Sequence, residues 1–361
     1  MNSIAEFLKS KIKLVRVGQL PMPKDTPPVN ITRILKNPGK ILIIPYNRMG
    51  TILLAARVFK SFRDSFQSSQ ITVAVDHTWS ILVENDSTID EVFTFGEEIN
   101  NPYSKSFQNL GKQLSINNFD IAFYLSYQFE TEMAYLTRLS CADLRISFKN
   151  DNENQFFNVE IVPSRGIKYE IDRYLEMLRT LGIEGSVRDY KMAVGQSIID
   201  GAKRRFLSGE NSRRFVAFDL TKEIVGEPIS RKTAESVIKT ILNDIKAQVV
   251  VVYEPEKRTI AAALKETFGR NIILVEDRPI SMVAGMLSFC FFAITHNTDL
   301  FQLAATLKIP TLCIMKKEEI IQWSPGEKKE IVHLQQSVGA WPPSSAIVQS
   351  ARRLVKQNKQ P

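Results

Sequence analysis

Residues 40–66 read KILIIPYNRMGTILLAARVFKSFRDSF, and this stretch decides the fold. Its first six residues, Lys40–Pro45, form a short apolar run rich in β-branched side chains, as expected of a strand buried on both faces in a parallel sheet. The chain turns through residues 46–50 and enters residues 51–66, where Leu53, Leu54, Val58, Phe59 and Phe62 recur at helical spacing. The alternation continues with strands predicted at 71–75, 91–95 and 120–125 and a helix at 80–84. An amphipathic helix over 171–181, closed by Gly182, ends this half, and 185–212 reads as a link between domains. The pattern then restarts. Strands are predicted at 214–219, 248–253 (QVVVVY), 272–275, 291–295 and 311–314, with helices at 231–243, 258–267, 280–287, 299–307 and 344–357. Strand–helix repetition of this kind predicts two doubly wound parallel sheets, with ligands at the carboxyl ends of the strands, facing a cleft between the halves.

A chain of 361 residues is long for one core, which agrees with two domains. The 44% hydrophobic and 24% charged residues are those of a globular protein. Cys141, Cys290 and Cys313 each sit in apolar sequence, and none belongs to a CxxC pair, so a reducing compartment without disulfides is expected. His77, His296 and His333 are too scattered for a His-rich metal site, and no metal or cofactor is expected. No segment reaches the ~18 apolar residues a membrane span needs, and residues 1–20 lack the pattern of a signal peptide, so a cytoplasmic location is expected.

The net charge of +8 is concentrated at the ends: residues 1–40 carry +6 and residues 351–361 carry +4, leaving the rest slightly acidic. Basic ends without aromatic stacking platforms argue against nucleic acid as a partner. With Ile4, Phe7, Leu8, Ile12 and Leu14 interleaved, the N-terminal segment fits peripheral contact with an anionic membrane, and equally a solvated helix packed on the body. Residues 18–30 (GQLPMPKDTPPVN) are proline-rich and exclude a helix or central strand. The expected division is a basic N-terminal helix and linker (1–37), two Rossmann-like domains (38–185 and 186–340) and a C-terminal helix (341–361).

Two consecutive Rossmann-like units outline the GT-B architecture, and four stretches in order resemble the bacterial heptosyltransferases of glycosyltransferase family 9. Residues 40–63 resemble that family's first strand, RxxxxGD turn and helix. Residues 169–183 (YEIDRYLEMLRTLGI) resemble the helix ending its first domain, and residues 294–310 (ITHNTDLFQLAATLKIP) its SNDTGPMHLAAALGVP. The WSPG of 323–326 resembles its WGPxG, and the resemblance spans residues 38–335. It implies an inverting, metal-independent transfer of a heptose-like sugar from a nucleotide diphosphate sugar, such as ADP-heptose, to an acceptor hydroxyl. Such chemistry uses a carboxylate to take the hydroxyl proton, and positive charge with helix N–H groups to hold the leaving diphosphate.

The resemblance also assigns positions, several of them altered. The catalytic acid falls on Thr51, whose hydroxyl cannot act as a base unaided, and Asp76, ending the strand ITVAVD, is an alternative base that also reads as a helix cap. Asn47 and Arg48 stand in the acceptor turn, Arg48 at a basic position suited to an anionic acceptor. On the donor side, Asn297 replaces an Asp, Asp299 a Gly and Gln302 a His, while Thr298 is retained. Asp299 would repel a phosphate at ~4 Å by roughly 4 kcal/mol, whereas a helix-dipole role stabilises it by ~0.3–1 kcal/mol and is favoured. Asp219 stands where the family has a His; Thr221 and Lys222 follow as phosphate contacts, though a solvated loop lysine reads the same way. Glu254 and Glu256 fall where an acid meets the nucleotide ribose, and Arg278 lines the base pocket. Two functions therefore stand: a divergent glycosyltransferase acting on an anionic glycolipid, lipopolysaccharide core or glycan at the inner membrane face, and an inactive relative that binds the same ligands as a scaffold.

Overall fold

The structure, a computed structural model, describes residues 23, 29–150, 155–167, 169–206, 214–221, 229–277, 279–324, 328, 330–336 and 341–358. The chain divides between Asp189 and Tyr190 into two compact units. Unit 1 contains α1 (Ile31–Lys36), β1 (Lys40–Pro45), α2 (Met49–Ala56), α3 (Phe59–Ser65), β2 (Gln70–Asp76), β3 (Glu91–Phe95) and α4 (Lys105–Ser115). It continues with β4 (Ile121–Leu125), α5 (Thr131–Leu139), β5 (Leu144–Phe148), β6 (Val159–Ile161) and α6 (Glu170–Thr180). Unit 2 contains α7 (Gln196–Phe206), β7 (Phe215–Leu220), α8 (Arg231–Thr240), β8 (Gln248–Tyr253), α9 (Arg258–Phe268), β9 (Ile272–Glu276) and α10 (Ile280–Leu287). It ends with β10 (Phe292–His296), α11 (Asp299–Thr306), β11 (Thr311–Met315), α12 (Lys317–Trp323), β12 (Ile331–Gln335) and α13 (Ser344–Gln357).

Each unit is built on a six-stranded sheet, ordered β3-β2-β1-β4-β5-β6 in the first and β9-β8-β7-β10-β11-β12 in the second. All paired strands run parallel, with β1 registered as Ile41 on Ile71 and on Ile121, and β7 as Phe218 on Val251 and on Ile294. Parallel strands need crossovers on both faces, so Ile41–Ile44 and Val249–Val252 are all fully buried, as their unbroken apolar runs require. In both sheets the order reverses beside the first strand: β1/β4 in unit 1 and β7/β10 in unit 2. A crevice opens outside the carboxyl ends of two such strands.

Both halves are thus doubly wound α/β, as predicted, and the differences have local causes. The helix read over 51–66 is two, broken at Arg57, because the carbonyls of Ala56 and Arg57 accept from Arg188 (Nε and N, both 3.0 Å). Of the helix read over 80–84, residues 80–82 belong to a short 3-10 turn, His77–Leu82, begun by Asp76. The helix expected over 231–243 changes pitch after Thr240 into a π turn ended by Lys246 at φ 57. Gly182, at φ 75, closes α6 as expected: its N–H reaches Arg179 O (3.0 Å) and that of Ile183 reaches Leu178 O (2.9 Å), a Schellman motif.

The stretch expected as a linker holds α7, which packs on α10. A Cβ added at Gly285 would stand 3.0 Å from Ile198 O and 3.2 Å from Ala202 Cβ. Elements α1, α4, α5, β5, β6, α12 and β12 were not predicted. In β5 (LRISF) the apolar run is interrupted by Arg145, which is buried and donates to Ala142 O (2.7 Å) and Phe156 O (3.1 Å). The terminal helix α13 seats Ile347, Ala351 and Leu354 in the unit 2 core beside Phe292 and Ile314. The basic helix expected ahead of the proline-rich stretch 18–30 lies outside the described residues.

Candidate functional site

The crevice of unit 2 is organised around Asp219, the penultimate residue of β7 and 1% exposed. Its Oδ1 accepts from the N–H (2.9 Å) and hydroxyl (2.7 Å) of Thr221, and its Oδ2 accepts from the Thr298 hydroxyl at 2.5 Å. Charge-assisted O–H···O⁻ bonds of this length are the strong kind. They join the turn after β7 to the turn after β10, across the point where strand order reverses.

His296, the last residue of β10, is 2% exposed, with Nε2 3.8 Å from Asp219 Oδ1 and its ring edge-on to Trp341 at 5.5 Å between centroids. Burial lowers its pKa; the charges of Asp219 and Glu319 oppose that shift and Lys257 reinforces it. Next in the chain, Asn297 is 3% exposed, and its Nδ2 is enclosed with no hydrogen-bond partner among the described residues. Thr298 is the N-cap residue of α11, yet its side chain makes no cap bond to the helix N–H groups, its hydroxyl donating to Asp219 instead. The Asn297 amide therefore lies beside the N-terminus of α11, which the Thr298 side chain leaves without its cap.

The other donor-side candidates are placed less centrally. Asp299 is half-buried in the first turn of α11, the position that favours the helix dipole. Gln302 is turned away from the crevice: it is buried, and its Nε2 donates to Trp323 O (2.7 Å), holding the end of α12. Glu254 is half-buried after β8, Glu256 is exposed, and Lys222 and Arg278 lie outside the described residues.

In unit 1 the turn after β1 carries Tyr46, Asn47 and Arg48. Thr51 is buried in the first turn of α2, its hydroxyl directed at the carbonyls of Arg48 (2.8 Å) and Tyr46 (3.0 Å). Asn47 Oδ1 is enclosed without a partner among the described residues. Asp76, at the end of β2, caps its own turn, Oδ1 accepting from Thr78 N (2.8 Å) and Thr78 Oγ1 (2.7 Å). Across the order reversal, the Tyr124 hydroxyl donates to Gln128 O (2.9 Å) and accepts from Glu130 N (3.1 Å), which fixes Glu130 at the start of α5. Burial raises the pKa of both Tyr124 and Tyr46 and the Glu130 charge raises it further, while Arg48 lowers that of Tyr46. Glu130 is thus a carboxylate whose charge reaches Tyr46 in the turn after β1. It was missed in the sequence because QFE, which precedes α5, carries no recognisable pattern.

Asp219 was visible in the sequence only as an altered family position. A usable signal was present: Asp-x-Thr occurs at Asp76, Asp86 and Asp219, and each aspartate makes the same two bonds to the threonine two residues on. What differs is the second oxygen, taken by Arg188 at Asp86 and by Thr298 at Asp219. Among the described residues no group of three or more His, Cys, Asp and Glu side chains is arranged for a metal ion, and no helix is long and apolar enough to cross a membrane.

No family model and no curated protein sequence matches the chain. Solved structures do. A family 9 glycosyltransferase of Veillonella parvula superposes with a TM-score of 0.77 at 12% identity, over 90% of this chain and 99% of that one. ADP-heptose lipopolysaccharide heptosyltransferase II of E. coli gives 0.74 at 14% identity, over 89% and 100%. An E. coli heptosyltransferase solved with ADP gives 0.64 at 15% identity, over 88% and 98%. The chain therefore has the two-unit α/β GT-B fold seen in glycosyltransferase family 9.

Proposed function

We propose that this chain is a glycosyltransferase that takes a sugar from a nucleoside diphosphate sugar, ADP-heptose being the leading donor, and transfers it to a hydroxyl of an anionic glycan or glycolipid. The observation that carries the proposal is the β7/β10 crevice. A buried amide without a partner at Asn297 costs about 1–3 kcal/mol, and a helix start left uncapped costs about 1 kcal/mol more. Diphosphate oxygens accepting from the Asn297 amide and the first N–H groups of α11 offset both costs. The fold likeness raises this reading above other anion sites by analogy.

In the reaction, the acceptor oxygen attacks the anomeric carbon from the face opposite the diphosphate, the carbon–oxygen bond to phosphate breaks, and configuration inverts. The electron pair leaves with the nucleoside diphosphate, whose charge α11 stabilises, and the acceptor proton passes to a carboxylate. Thr51 is unsuited to that step, because its hydroxyl is held by two carbonyls, and Asp76 is engaged by Thr78. We assign the proton to Glu130, with Arg48 binding an anionic group of the acceptor. The basic residues of the first 40 positions support work at an anionic membrane face on the cytoplasmic side.

A second reading, a scaffold that binds donor without turning it over, is favoured by the internal bonds of Thr51 and Gln302, which occupy the positions where the resemblance implies an acid and a histidine. Release of ADP or UDP from a panel of ADP- and UDP-linked hexoses and heptoses, with water or glycan as acceptor, separates the two. Turnover of at least one donor, lost in Glu130→Gln while ADP still binds, is the expected result. Binding by wild type with no release selects the scaffold.

A further inference from the structure

We infer that Asp219 is the positioning residue of the crevice in unit 2: its buried carboxylate ties the turn after β7 to the N-terminus of α11 and keeps that helix start open for an anionic ligand. The inference deepens the donor reading above and rests on it.

Three observations lead to it. The Asp-x-Thr turn is by itself an ordinary local device here, since Asp76 and Asp86 make it too. The bond that distinguishes Asp219 is the one to Thr298, 79 residues on. Thr298 in turn is a cap-competent residue that does not cap. Elsewhere this chain caps helices with Asn30, Ser104 and Ser230, whose side chains accept from the N–H of Arg33 (3.0 Å), Phe107 (3.0 Å) and Thr233 (3.1 Å). At α11 the hydroxyl is drawn away by the carboxylate, so Thr298 gives no cap bond to the first-turn N–H groups, which no helix can satisfy internally. Independently, Asn297, 3% exposed and one residue before the cap, holds an amide nitrogen with no partner among the described residues. A carboxylate beside an anion site is unfavourable on charge alone. Its presence here is explained by what it holds in place.

That conflict gives the test a sign. If Asp219 acted on the ligand only through its charge, Asp219→Asn would tighten binding of an anion; if it positions the two turns, the same change weakens it. Calorimetric titration of the full chain with ADP, and with UDP as second probe, reads this directly. The expected result is a loss of about tenfold or more in affinity for Asp219→Asn and for Thr298→Val, non-additive in the double variant, with Thr298→Ser close to wild type. Melting of the unliganded variants checks folding, and Thr298→Val carries the test if Asp219→Asn fails to fold. Equal or tighter ADP binding by the folded variants overturns the inference and leaves the donor reading standing. A wild-type chain that binds neither ADP nor UDP overturns the donor reading and the inference with it.

Discussion

Thr51 stands where the resemblance implies a carboxylate, and its surroundings explain why none is there. Its hydroxyl donates toward the carbonyl oxygens of Arg48 and Tyr46, and an ionised carboxylate in that place could make neither bond. The side chain suits the turn, and in the proposed mechanism the proton passes to Glu130 instead. None of this was legible from residue types alone, because which way a hydroxyl or carboxylate faces is set by packing. His296 carries a consequence for stability. Burial holds its pKa below the ordinary histidine value, so in the fold the ring stays neutral where the unfolded chain takes up a proton. Stability is therefore full above about pH 6.5 and falls as the pH drops below it. Asp219 and Glu319 face the ring and moderate the loss, while Lys257 adds to it. Thermal melts from pH 7.5 to 5.5 should show the decline in wild type and a flatter curve in His296→Asn. The same slope in both would remove His296 as its source.

At the scale of elements, the sequence marked strands and helices well where one residue class ran unbroken, as in KILIIP and QVVVVY, and poorly where a polar residue served the structure from inside. Arg145 hid β5 in this way, and the small, weakly apolar face of α7 hid a helix in what read as a linker. Arg188 shows the same effect at longer range. It accounts for the break between α2 and α3, and its guanidinium also pairs with Asp86, whose side chain is fully buried. Removing one partner of such a pair strands the other without compensation, so Arg188→Ala should cost about 3–5 kcal/mol. The check is the urea midpoint, expected to fall well below wild type. A cost under about 1 kcal/mol would mean that the pair contributes no more than one at the surface.

At the scale of the whole molecule, the repeated order of two six-stranded sheets was legible because βαβ crossovers force parallel, doubly buried strands, and such strands write themselves as apolar runs. The chemistry was less legible, since the crevices are formed by residues far apart in sequence, Asp219 with Thr298 and Tyr46 with Glu130. Charge adds an expectation of its own. With basic residues gathered at the two ends, the chain should co-sediment with phosphatidylglycerol-containing vesicles, weakening as salt rises from 50 to 300 mM and on deletion of residues 1–28. Equal binding to neutral vesicles would contradict a charge-driven contact. The central claim is that the β7/β10 crevice holds a nucleoside diphosphate, and a crystal of the protein grown with ADP tests it most directly. Diphosphate density against Asn297 and the first turn of α11, beside the Asp219–Thr298 bridge, is the expected result; a crevice closed by the protein's own side chains, with ADP elsewhere or unbound, would contradict it.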